Sequence, residues 1–117
     1  MGALAGGCAA KPPESQSQPP RQVVGGDATR GKQAIVSYGC GACHEVPGIR
    51  EARGLVGPPL THFASRAYIA GEVPNTPDQL IRWIMVPQAI EPKTAMPVLG
   101  VSATAARDIA AYLYTLR

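Results

Sequence analysis

Apolar residues recur at helical spacing in three stretches, separated by runs rich in Gly and Pro. Asp27 has the character of an N-cap, and Ala28 to Gly39 reads as a first helix with Ala34, Ile35 and Tyr38 along one face. Gly31 interrupts that helix at a cost of up to about 1 kcal/mol against alanine, which is tolerated where another backbone must come close. Thr76-Pro77-Asp78-Gln79 is the clearest helix start: a threonine cap, proline at the first helical position, an early acid and a glutamine three after the cap. That helix carries Leu80, Ile81, Trp83, Ile84 and Met85 and stops before Pro87. Ser102 caps a last helix in which Ala105, Ile109, Tyr112, Leu113 and Leu116 share a face. A short helical turn is expected across Thr61 to Arg66, and Gln88 to Gly100 reads as a loop. No strand of useful length, internal repeat or heptad run is evident, so the pattern is all-α: three main helices joined by turns.

The first quarter of the 117 residues has a different character. Residues 9–26 are dominated by Pro, Ser, Gln and Gly, bury little and are expected to form a disordered linker, with the folded domain spanning 27–117. Leu4-Ala5-Gly6-Gly7-Cys8 resembles the processing site of a bacterial lipoprotein signal, although the apolar segment before it is short. Cys8 is therefore a candidate lipid-anchor site, the alternative being a simple exposed thiol. No stretch is long and apolar enough to span a bilayer.

Composition adds two constraints. A domain of roughly 90 residues builds only a modest core, and this one has a single Phe and a single Trp, so an apolar cofactor would supply much of the missing interior. Charge is near balance: from Asp27 onward nine basic residues stand against seven acidic, and they are scattered, which gives no support to nucleic-acid binding.

The chemistry is concentrated in Cys40-Gly41-Ala42-Cys43-His44. A C-x-x-C pair serves redox exchange, zinc binding or haem attachment. Redox exchange is expected with a strand before the motif, whereas a helix precedes it here, and structural zinc takes four Cys or His ligands, which this chain supplies poorly. The adjacent His44 favours covalent haem attachment through Cys40 and Cys43, with His44 as an iron ligand. Its second ring nitrogen needs an acceptor, for which a backbone carbonyl of the rigid Gly57-Pro58-Pro59 segment is the natural candidate. Of three methionines, Met1 is in the tail and Met85 lies on an apolar helix, which leaves Met96, in a Pro-bounded loop, as the better sixth ligand; His62 is its competitor.

These residues, taken in order, resemble the class I cytochromes c. The likeness runs from about Asp27 to the C-terminus through Gly31, Cys40 to His44, Gly57-Pro58-Pro59-Leu60, Trp83 before Pro87, Thr94-Ala95-Met96-Pro97 and the last helix. The resemblance implies three main helices and short turns wrapped around one covalently bound haem c with His44 and Met96 on its iron. It also implies that Pro58 offers its carbonyl to His44, that Trp83 lines the pocket near Met96, and that Arg66 and Thr94 hold the propionates. Gly31 should mark the crossing of the first and last helices, with Tyr112 beside it. Ile35 and Val36, where the family often has an aromatic, and Lys93, where it often has glycine, depart from the pattern. Gly57 to Arg66, Pro74 to Pro77 and Arg82-Trp83-Ile84 are similar to the cytochrome c domain fused to subunit II of some haem-copper oxidases.

The function so implied is not enzymatic: a one-electron carrier of a respiratory chain, receiving electrons from an upstream cytochrome complex and donating to a terminal haem-copper oxidase. The expected location is the bacterial periplasm or the outer face of the cytoplasmic membrane, reached through a lipid on Cys8. Catalysis or gas sensing with a displaceable sixth ligand is the alternative.

Overall fold

A computed structural model describes residues 21–117; Cys8 and the linker up to residue 20 lie outside the described residues. Three α-helices form where the pattern placed them: α1 (Ala28–Ser37), α2 (Pro77–Met85) and α3 (Ala103–Leu113). Each has its expected cap. Asp27 accepts from the Arg30 amide at 2.8 Å, Thr76 from Gln79 at 3.3 Å and Ser102 from Ala105 at 3.1 Å. The reciprocal half of the capping box at Thr76 does not form: the Thr76 amide donates to the Pro74 carbonyl at 2.9 Å, and Gln79 Oε1 has no hydrogen-bond partner among the described residues. Single 3₁₀ turns span Cys40–Ala42, Phe63–Ser65 and Pro87–Ala89. The sequence pattern did not include the 3₁₀ turns at Cys40–Ala42 and Pro87–Ala89 or the pair in which Tyr68–Ile69 (β1) runs antiparallel to Val73–Pro74 (β2). Two residues a side are too few to show an alternation.

α1 and α3 pack across each other, and Gly31 is the reason they can. A Cβ there would overlap the Asp108 carbonyl oxygen and lie 3.0 Å from Tyr112 Cβ. The expected crossing, with Tyr112 beside it, is what the chain forms. Asp108 then fastens the contact with its side chain: Oδ1 accepts from the Asp27 amide (2.9 Å), and Oδ2 accepts from Arg30 Nε (3.1 Å). The guanidinium holds the Asp108 carboxyl below the usual carboxylate range despite its burial.

The core collects Ile35 from α1, Leu80 and Ile84 from α2, and Ala106, Ile109, Ala110, Tyr112 and Leu113 from α3, with Val46, Ile49, Ala52, Phe63 and Ile69 from the connections. Trp83, Met85, Leu60 and Tyr38 are half-buried against it. A second polar pin lies within: Tyr114 Oη donates to Asn75 Oδ1 (2.9 Å), and Asn75 Nδ2 donates to the carbonyls of Phe63 (3.2 Å) and Arg66 (3.0 Å). Residues 21–26, which the sequence assigns to the linker, touch the domain. Val23 packs on the core, and the Arg21 guanidinium donates to the carbonyls of Ala64 and Arg66 and lies over the Tyr114 ring. A long side chain reaching back is invisible to a composition argument.

Candidate functional site

α1 delivers the chain straight into the cysteine motif. After Tyr38 at its C-terminal cap, the amides of Cys43 and His44 both donate to the Cys40 carbonyl, at 3.2 and 3.0 Å, so the motif is one tight turn. Cys40 and Cys43 are each half-buried with free thiols. Burial, more than the neighbouring Cys43, pushes the Cys40 thiol above its ordinary value.

His44 is held by the segment that follows. Its Nδ1 lies 2.7 Å from the Pro58 carbonyl oxygen. A carbonyl only accepts, so the proton sits on Nδ1 and the Nε2 lone pair is left for a metal. Pro58 and Pro59 stiffen the wall that carries this acceptor. The wall stands close because residue 57 is glycine: a Cβ there would overlap His44 Cε1 and lie 2.9 Å from Nε2. Gly57 itself donates its amide to the Cys43 carbonyl at 2.7 Å. Arg66 braces the same wall, with Nη2 donating to the carbonyls of Pro59 and of Thr61 and the guanidinium over the Phe63 ring, 5.5 Å from its centre. Arginine has five N–H donors, so this bracing leaves donors for an anion. His62 is exposed, in a left-handed conformation (φ 57°).

Met96 is half-buried in a loop ordered by side chains rather than by secondary structure. Its amide donates to Thr94 Oγ1 (3.2 Å), and its carbonyl accepts from Gln88 Nε2 (2.7 Å). Glu91 shapes the loop further, accepting the Thr94 amide on its carbonyl (3.0 Å) and the Lys93 amide on its carboxylate (2.9 Å). Thr94 Oγ1 keeps its own proton to donate elsewhere. Val98 and Leu99 beyond Met96, and Leu55 and Val56 before Gly57, are exposed apolar residues, Leu55 at 89%.

Sequence reasoning brought out His44, Pro58, Thr94 and Met96 and missed Gln88, Asp108 and Asn75. Asp108 did leave a signal, an acid among the apolar positions of the last helix. Gln88, in a polar loop, left none.

Among the described residues no three His, Cys, Asp or Glu side chains gather as a metal site, and no helix is long and apolar enough to cross a membrane. A tight C-x-x-C-H turn with its imidazole fixed on one nitrogen and open on the other has the donor set of a c-type haem protein.

Comparison with known proteins agrees: residues 28–117 match the family model "Cytochrome c", and the chain belongs to that family, as a class I cytochrome c. Membership implies electron transfer and covalently bound haem c. A relative, cytochrome c oxidase subunit 2 of Alkalihalophilus pseudofirmus, is 33% identical over 91 residues, which is 77% of this chain and 26% of that protein. The chain thus spans about a quarter of the length of that relative.

Proposed function

We propose that this chain is a single-haem, one-electron carrier of a respiratory chain that donates to a terminal haem-copper oxidase. Haem c is attached through Cys40 and Cys43, ligated by His44 and Met96, and enclosed by the three helices and their loops. The observation that carries the reading is the His44 Nδ1 contact with the Pro58 carbonyl at 2.7 Å, which fixes the tautomer and leaves Nε2 as the ligating atom.

Haem bound there supplies a ferric/ferrous couple. The work of the chain is to tune and shield it. The Pro58 carbonyl raises the basicity of His44, while the Met96 thioether favours a raised potential and closes the sixth position to small molecules. Arg66 and Thr94 have donors for the propionates, and Trp83 lines the pocket from α2. Leu55 and Val56, just before Gly57, and Val98 and Leu99, just after Met96-Pro97, are exposed apolar residues that would cover part of an apolar macrocycle bound there. The similarity to an oxidase subunit supports the oxidase as electron acceptor; the proposed donor is an upstream cytochrome complex.

Residues 27–117 form the redox domain in this reading. Residues 1–26 tether it at the periplasmic face through a lipid on Cys8, which intact mass of protein from its native host would detect. Met96→Ala tests the site: it should abolish the ferric sulfur-to-iron charge-transfer band, and an unchanged band would refute the ligand assignment. Oxidation of the reduced protein by a purified haem-copper oxidase tests the direction of transfer.

A further inference from the structure

The loop carrying Met96 has an anchor that the cysteine motif and its partners do not account for. Gln88 sits in the 3₁₀ turn Pro87–Ala89 directly after α2. That turn is rigidly attached: Pro87 is fully buried, and its carbonyl accepts the amides of both Ile90 (3.1 Å) and Glu91 (3.0 Å). From this fixed base the side chain reaches eight residues forward and donates Nε2 to the Met96 carbonyl at 2.7 Å.

We infer that Gln88 is a positioning residue for Met96, clamping the backbone of the sixth ligand to the end of α2 so that the thioether stays on the iron against competing ligands. The inference rests on the His44/Met96 reading proposed above. Two features make the contact directional. The Met96 carbonyl can only accept, so the glutamine must present its NH₂ and not its oxygen. Among the described residues Gln88 Oε1 has no hydrogen-bond partner, so the Nε2 contact is the polar contact that fixes this side chain. Together with the Thr94 contact to the Met96 amide, Gln88 holds the ligand residue on both sides of its Cα. Residues 97–100 beyond it are exposed and belong to no helix or strand, which gives the loop little support from that end.

The experiment uses haem-loaded full chain in four forms: wild type, Met96→Ala, Gln88→Leu and Gln88→Glu. Imidazole is titrated into the ferric protein while the sulfur-to-iron band is followed. Gln88→Leu removes the donor at similar volume, and Gln88→Glu sets a carboxylate oxygen against the Met96 carbonyl. Both should bind imidazole about three- to tenfold more tightly than wild type, the range expected for loss of one net hydrogen bond, with Glu at the upper end or beyond. The reduced Gln88 variants should also bind carbon monoxide faster than wild type. A residue that merely stabilised the fold would shift the urea midpoint and leave imidazole affinity under native conditions at the wild-type value, which would overturn the inference. If Met96→Ala loses the band while both Gln88 variants bind imidazole as wild type does, the clamp is wrong and the ligand assignment stands. If Met96→Ala keeps the band, the ligand assignment falls and the clamp falls with it.

Discussion

Gly31→Ala separates two physical effects of opposite sign. Inside an exposed helix the change stabilises by about 1 kcal/mol, because alanine is the better helix former. At the α1–α3 crossing the new Cβ would overlap the Asp108 carbonyl oxygen and lie 2.5 Å from Asp108 C, where carbon atoms normally sit about 3.5–4.0 Å apart. The obstacle is main chain and cannot rotate away, so the helices must separate by about 1 Å. Such overpacking costs about 1–3 kcal/mol, and a clash with backbone belongs at the upper end. Subtracting the helix-propensity gain leaves a net loss of about 2 kcal/mol. With a urea slope near ~1 kcal/mol/M for a domain of this size, the unfolding midpoint should fall by about 2 M. Circular dichroism at helical wavelengths, on haem-loaded protein, measures it. A midpoint equal to or above wild type would mean that the crossing is not close-packed at Gly31 and would refute the argument.

Other expectations follow from the same contacts. Asp108→Asn should destabilise the protein at neutral pH, and the gap should close on acidification: the folded carboxyl lies below its ordinary 3.8, so its contribution is present above that value and lost as pH falls below it. Urea midpoints at several pH values test this. Tyr114→Phe leaves Asn75 Oδ1 buried without its donor and should cost about 1–3 kcal/mol. Burial pushes the Tyr114 phenol up to about 12 from 10.0, so wild-type stability should also decline between those pH values, less steeply in the variant. Gly57→Ala drives a methyl into the His44 ring and should weaken its ligation, seen as loss of the low-spin spectrum.

What was legible in the sequence was local or repetitive. Caps act over three residues, so Asp27, Thr76 and Ser102 announced their helices, and the stripe through Ile109, Tyr112 and Leu113 announced which face of α3 is buried. Gly31 was legible because a glycine in a helix needs an excuse. The β1–β2 pair was too short to alternate. The Arg30–Asp108 pair joins residues 78 apart in sequence, and nothing local in either partner names the other. Gln88 was hidden for another reason: its role is a single donor meeting a main-chain carbonyl, and every residue has such a carbonyl. The ligand residues stood out because their chemistry is rare, whereas the residues that hold them in place use chemistry that is everywhere.

Ala64 receives two contacts from residues far apart in sequence. Its carbonyl accepts from the Arg21 guanidinium, and its amide donates to the Leu116 carbonyl at 2.8 Å. One peptide of the 61–66 segment thus ties down both the stretch ahead of α1 and the stretch after α3, so loosening that segment would release both at once.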